Sequence, residues 1–447
     1  MSWTLTIPTA VPLRVSASAL GAALIACGML TSSFVSFEPA PTDAFMLMAA
    51  IALPMLGFSV FGPLAATQLA IWITICALGI FAAGISPHAD ASIKHNVVTL
   101  FLAIAAFAVA SFLRERTAQR FNLLLWCFTL SAAAAAILAL VGYFDLIPGS
   151  YDVFTRYGRG RGPYKDPNVF GAALVLALAF LSWILVRGET QRPLFGGGLF
   201  VVLVVGVLIS FSRGAWMAAA LTLAIVGVSA LVFAVERSHQ NRICAVVIAG
   251  TFAISIAVGA ALQSEKITNL LAERASLSQG YDVGPSGRFG GQRKAVALIV
   301  ENPLGIGNGV FSSVYHHEAP HQVYLSMFLN SGWIGGLLFL ISVLSTLAIG
   351  AHGILTKSQL RGPFVIATAA LAATLVLSLV IDSDHWRHLF IVMGLIWGLS
   401  DAKHPSNKRS LKVTPARQIA EGSHASAHRR AARLRQQSHL GGRPRFA

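Results

Sequence analysis

Apolar residues run in long blocks separated by short polar stretches. Twelve blocks fall near 16–36, 44–62, 64–85, 96–113, 121–141, 168–186, 194–211, 214–235, 243–262, 322–349, 363–381 and 386–400. A bilayer-crossing helix needs roughly 20 mostly apolar residues, and most blocks approach that length. Barrel strands would alternate apolar and polar positions over about 10 residues. These blocks do not alternate, and they are rich in Leu, Ala and Gly. The pattern predicts an all-α polytopic membrane protein of about 12 transmembrane helices. Residues 1–400 form the bundle, with large outer loops at 142–167 and at 263–321, the latter between spans 9 and 10.

Composition agrees. Charged residues make up 11% of the chain and hydrophobic ones 55%, against about 25% charged in soluble domains. An ordinary soluble enzyme, a disordered chain and a disulfide scaffold are thereby excluded. Cys27, Cys76, Cys127 and Cys244 lie far apart inside apolar blocks without CxxC spacing, as small buried hydrophobes do. Leu24-Ile25-Ala26-Cys27 has the form of a lipoprotein cleavage box, although a first span opening a bundle is commoner.

Charge sets the orientation. With the N-terminus in the cytoplasm, twelve spans return the C-terminus there. The cytoplasmic side then holds 21 Lys/Arg against 5 Asp/Glu, and the outer side 12 against 13. The whole excess of positive charge lies inside, as the positive-inside rule expects. The basic tail, 401–447, has too few apolar residues to fold alone. Its arginines suit anionic lipid headgroups. Without interleaved aromatic residues for base stacking it does not suit nucleic acid.

Outer arginines run against that bias. Arg156, Arg159, Arg161 and Lys165 precede Asp166-Pro167-Asn168. Arg274, Arg288, Arg293 and Lys294 lie in the second loop, before Glu301-Asn302-Pro303-Leu304-Gly305 and the histidines His316, His317 and His321. Ser212-Arg213-Gly214 interrupts two spans at the outer boundary. Arg donates two parallel hydrogen bonds to phosphate and keeps its proton. Outward Arg at a lipid surface thus suggests an anionic, interfacial ligand such as a polyprenyl diphosphate. The plainer reading, Arg snorkelling to headgroups, suits Arg156, Arg159 and Arg293 better than Arg213, which is held between two spans.

His317 and His321 are four apart, a metal-chelating spacing on a helix. Pro320 disfavours a helix there, and only Glu318 stands ready as a further ligand, so neither a metal nor a cofactor is expected. An imidazole, with an ordinary pKa near 6.5, suits removal of a hydroxyl proton. Gly305-Ile306-Gly307-Asn308-Gly309 lacks the strand before it and the Lys-Ser/Thr after it that a nucleotide phosphate loop requires. Hydrolase elbow and zinc-protease motifs are missing.

In order along the chain stand DPNVFG (Asp166–Gly171), FSRGAW (Phe211–Trp216), ENPLGIGNG (Glu301–Gly309) and HQVYLSMFLNSGWIGGLLFL (His321–Leu340). This set resembles the O-antigen ligase and polymerase superfamily of bacterial envelope glycosyltransferases, over roughly 160–340. Two departures are Gln322, where the family usually has Asn, and the missing polymerase pattern of an Arg followed eleven positions later by Gly. The resemblance implies a GT-C-like fold and an inner-membrane, multi-pass glycosyltransferase. Its donor would be a glycan on undecaprenyl diphosphate, used at the periplasmic face without metal or nucleotide sugar. Arg213 and Arg288 would bind the diphosphate, with Arg161 and Lys165 adding to the clamp. His321 would act as base or orient the acceptor. Asn168, His317 and Tyr324 are further loop or acceptor candidates. The acceptor would be a glycolipid or a growing polysaccharide, and other envelope assembly proteins are possible partners.

The missing polymerase pattern tilts the reading from polymerase of O-antigen or exopolysaccharide towards ligase. A transporter or flippase of lipid-linked glycan is the alternative of another class. Against it, no paired Gly/Pro-broken spans occupy matching positions in the two halves. A non-catalytic assembly partner is a third reading.

Overall fold

The computed structural model describes residues 16–403 apart from 59–60, 87–88, 235 and most of 262–286. The basic tail beyond residue 403 and Arg274 lie outside the described residues.

Each apolar block coincides with a helix. They are α1 (Ala17–Leu30), α2 (Pro41–Met55), α3 (Pro63–Gly84), α4 (Ala89–Leu113) and α5 (Thr117–Tyr143). A short α6 (Ser150–Phe154) follows, then α7 (Pro167–Ala173) running into α8 (Val175–Arg187), α9 (Pro193–Ile209), α10 (Arg213–Val232) and α11 (Arg237–Ala261). The chain ends in α12 (Arg288–Glu301), α13 (Val323–Thr356), α14 (Arg361–Leu377) and α15 (Arg387–Ser400). Among the described residues, six helices are long and apolar enough to cross a membrane: Pro63–Gly84, Ala89–Leu113, Thr117–Tyr143, Pro167–Arg187, Arg213–Val232 and Val323–Thr356. Five further apolar helices are shorter. The protein is an all-α polytopic membrane protein.

Helix starts are legible in the chain. Pro41, Pro63, Pro167 and Pro193 occupy first-turn positions, where the missing N–H costs nothing. Ser212 caps α10 and Asp166 caps α7 with side-chain oxygens. α8 and α15 are buried on nearly all sides, as all-round apolar helices at a bundle centre are. Where α4 crosses α15, small residues let the backbones meet. A Cβ at Gly394 would lie 2.4 Å from the Ala106 carbonyl oxygen, and one at Gly398 would lie 2.7 Å from that of Ala110. Small residues at such crossings drive helix association in lipid. Polar links add to it: Ser342 donates to Gln68, and Trp397 donates to Thr346.

Two irregular features shape the outer end. The first is a small antiparallel hairpin pairing Thr155 with Gly160 and Arg156 with Arg159. Its two-residue turn, Tyr157-Gly158, has positive φ at both positions, the twist a tight hairpin needs. The second is a break in α13 at Gly332, with φ of +71°. Residues 303–306 enter this break. Ile306 N–H donates to the Leu329 carbonyl at 2.7 Å, and Trp333 N–H donates to the Pro303 carbonyl at 2.9 Å. The glycine-rich motif thus satisfies backbone groups that a kinked helix leaves open.

A Cβ at Gly332 would lie 2.5 Å from the Pro303 carbonyl oxygen, and the left-handed φ adds strain. Gly332→Ala should therefore destabilise the fold by about 1–3 kcal/mol, read as a lowered melting temperature in detergent. Gly227→Ala, where a Cβ would meet nothing within 4 Å, should be neutral or slightly stabilising.

Candidate active site

Residues from four segments at one end of the bundle converge on one cavity of about 730 Å³. The hairpin and the α7 start supply Arg159, Asp166 and Asn168. The α9–α10 turn supplies Ser212 and Arg213. Arg288, His321 and Asp382 complete the polar wall. Phe289, Met217, Leu377, Val380 and Ile381 line the rest, so the cavity combines arginine and carboxylate side chains with apolar surface.

Arg159 organises one wall. It is 7% exposed. Its Nε donates to the Ser210 carbonyl at 2.7 Å, and Nη2 donates to Asn168 Oδ1 at 2.7 Å. The Asn168 N–H in turn donates to Asp166 Oδ1 at 2.7 Å. Arg156, the direct cross-strand partner of Arg159, has a different environment. Arg156 stays exposed beside the Tyr157 ring and donates to the Lys165 carbonyl. Arg159 does not snorkel to lipid; it is held inside by neutral acceptors.

His321 sits opposite, at φ of +51°, a left-handed conformation uncommon outside glycine. Its backbone N–H donates to Asp382 Oδ2 at 3.1 Å. Its ring lies between two carboxylates, 3.8 Å from Glu318 and 3.9 Å from Asp382, and its side chain is 41% exposed. Both separations exceed hydrogen-bond length, yet both charges would stabilise an imidazolium formed there. Asp382 Oδ1 accepts the Ser326 hydroxyl at 2.5 Å. Burial pushes the Asp382 carboxyl above its ordinary range, and the Asp384 charge adds to the shift. Arg288 Nη2 reaches the His321 carbonyl at 3.4 Å.

Four sequence-predicted residues, Arg213, Arg288, His321 and Asn168, thus share the cavity. The other four lie elsewhere. Arg161 donates to the backbone carbonyls of Thr155, Tyr164 and Val153, so its guanidinium clips the loop together. Lys165 pairs with Glu38 at 2.9 Å. His317 is largely exposed, 4.0 Å from Glu318 and packed on His316. Tyr324 donates to the Leu375 carbonyl at 2.8 Å and packs against Phe339, which makes it an interhelical tie. Sequence reasoning weighed Arg159 mainly as a snorkelling arginine and gave Asp382 no role in the site. A signal for Asp382 existed: a carboxylate pair with Asp384 in the short loop between two apolar blocks.

Among the described residues, His95, Asp384 and His385 come close enough to suggest a metal, with ligand atoms within 4.8 Å of one another. Their geometry argues for a packed triad instead. The two imidazole rings stack 3.8 Å apart at 17°, so in-plane lone pairs run parallel and do not converge on one ion. His95 Nε2 already meets Asp384 at 2.9 Å. His385 Nε2 lies 2.9 Å from the Thr99 hydroxyl. Burial by itself would raise the Asp384 carboxyl, but the hydrogen bond and charge of His95 outweigh it and bring it to about 2.

Residues 198–340 match a family model described as O-Antigen ligase. This match over about a third of the chain supports a place in the O-antigen ligase and polymerase superfamily. Its members are glycosyltransferase-like membrane proteins of polysaccharide biosynthesis. The comparison with curated proteins found no match. The stretch matching the O-antigen ligase model carries Arg213, Arg288 and His321. Arg159, Asn168 and Asp382, which complete the cavity, lie outside it.

Because folding lowers the Asp384 carboxyl from 3.8 to about 2, its ionised form stabilises the fold above about pH 4. That contribution, about 2 kcal/mol, is lost as pH falls towards 2. Melting temperature followed against pH should drop across this window. Asp384→Asn should melt lower at neutral pH and lose this part of the acid dependence.

Proposed function

We propose that the protein transfers a glycan from undecaprenyl diphosphate to an acceptor hydroxyl at the periplasmic face of the bacterial inner membrane, as an O-antigen ligase does. One observation carries the reading: Arg159, Arg213 and Arg288 share a cavity with His321 and Asp382, and apolar side chains make up much of its remaining lining. A lipid diphosphate has the matching polarity, with charge at one end and hydrocarbon at the other. In this reading the chain crosses the bilayer twelve times with both termini cytoplasmic, and the cavity faces the periplasm.

The chemistry follows from charge. As the anomeric carbon–oxygen bond breaks, its electron pair stays on the diphosphate. Arg213 and Arg288 are the fixed cations that stabilise this growing charge. Arg159 acts on the same wall by positioning Asn168 and the Ser210 turn that precedes Arg213. The acceptor oxygen forms the new bond to the anomeric carbon and gives its proton to His321. The Glu318 and Asp382 carboxylates beside the ring stabilise the imidazolium. Holding both substrates in one site supplies much of the remaining acceleration. Guanidinium groups provide the positive charge that a divalent ion would otherwise bring, so the transferase is metal-independent in this scheme. Arg161 and Lys165 stand outside the clamp, committed to loop carbonyls and to Glu38.

The test uses purified protein in nanodiscs with undecaprenyl-diphosphate glycan, an acceptor lipid extract, a chelator and no nucleotide sugar. Glycan should appear on the acceptor as undecaprenyl diphosphate is released, and the product separates ligase from polymerase. Arg213→Ala, Arg288→Ala and His321→Ala should each lower transfer at least about 100-fold while inserting normally. Arg213→Lys should also fail, because an ammonium cannot reproduce a bidentate grip on phosphate. Full activity of His321→Ala would remove the general-base role. Uptake of labelled substrate into proteoliposomes without a new glycosidic bond would favour a transporter.

A further inference from the structure

A second cavity, of about 230 Å³, adjoins the first. Its polar lining includes Asn308, Ser326, Asn330, Asp382, Asp384 and His385, and Asp382 borders both cavities. Asp382 therefore stands between two spaces of different lining. Three arginines, with the carboxylates of Asp166, Glu318 and Asp382, line the first, whereas among the described residues no Arg or Lys lines the second. A phosphate would meet carboxylates there and be repelled, so the second space suits a neutral ligand rich in hydroxyls.

Asn330 supplies an independent indication. It is 8% exposed, and its carboxamide makes no hydrogen bond to any described residue. Buried carboxamides are nearly always paired. This one borders the cavity, where it could both donate to and accept from a sugar hydroxyl. The floor beneath is stiff. His95 and His385 stack, Asp384 joins His95, and His385 meets Thr99 and the His95 carbonyl. Phe311 and Leu329 give the cavity an apolar side.

We propose that this second cavity is the acceptor pocket, holding one sugar ring through Asn330 and presenting its hydroxyl past Asp382 to the diphosphate cavity. The inference rests on the glycosyl-transfer reading above. In the step, the acceptor oxygen bonds to the anomeric carbon and the bond from that carbon to the diphosphate oxygen breaks. The leaving diphosphate takes the electron pair, and the hydroxyl proton passes to His321. Asn330 binds and positions the acceptor and exchanges no proton.

The experiment measures transfer by the full chain in nanodiscs against acceptor concentration at saturating donor, and separately the binding of labelled undecaprenyl-diphosphate glycan. Asn330→Ala should raise the acceptor KM about tenfold, equivalent to about 1.4 kcal/mol, with donor binding within twofold of the unaltered protein. Asn330→Ser, which keeps a donor and an acceptor, should recover part of that loss. It also decides the matter if the alanine variant does not yield folded protein. An unchanged acceptor KM, or a parallel loss of donor binding, overturns the acceptor pocket while leaving the transferase intact. Absence of transfer by the unaltered protein overturns both.

Discussion

A guanidinium buried at the outer boundary of a lipid-embedded bundle must have its donors met by protein, because hydrocarbon offers no acceptors. Arg159 meets that demand with the Ser210 carbonyl and the Asn168 side chain. The outer hairpin, the α9–α10 turn and the start of α7 are thereby fixed against one another. Arg213 follows that turn directly, so its place in the cavity depends on a residue it need not touch. Removing Arg159 would leave the carbonyl of a helix-ending turn unsatisfied and the hairpin without its anchor.

The opposite wall obeys the same economy with the charge reversed. Asp382 accepts the His321 N–H and the Ser326 hydroxyl, and in doing so holds His321 in a left-handed backbone conformation. The break at Gly332 exposes a carbonyl and an N–H that residues 303–306 satisfy. That contact draws the second outer loop onto α13. α12 extends the arrangement, since Arg288 and Gln292 reach the carbonyls of His321 and Pro320. Irregular backbone at this depth survives because each open group finds a partner within the protein. It also leaves an arginine-bearing space and a space without described arginine or lysine on either side of one carboxylate.

Such a division suits a reaction that joins a charged donor to a neutral acceptor. On the proposed reading, a lipid diphosphate would find arginine donors in the first space and none among the described residues of the second. The match of residues 198–340 to the O-antigen ligase family model agrees with a membrane site of this kind. The matched segment carries the two arginines and the histidine, while the partners that orient them come from either side of it.

Hydropathy alone set the helices. The twelve apolar blocks mark where backbone groups must bond within one segment, and that requirement is local. Proline at first turns and Ser212 or Asp166 as caps fixed their starts for equally local reasons. The short motifs also marked Arg213, Arg288, His321 and Asn168, because each stands beside a span end that the chain itself reveals. Tertiary structure decided the rest. Arg161 and Arg159 differ by two positions, yet one clips loop carbonyls and the other braces the cavity, since the hairpin register turns them to different neighbours. Asp382 and Asn330 acquired their places only when α13 and the α14–α15 loop packed together. Hydrogen-bond partners across hundreds of residues leave no periodic trace in a sequence, whereas the need to bury an apolar helix does.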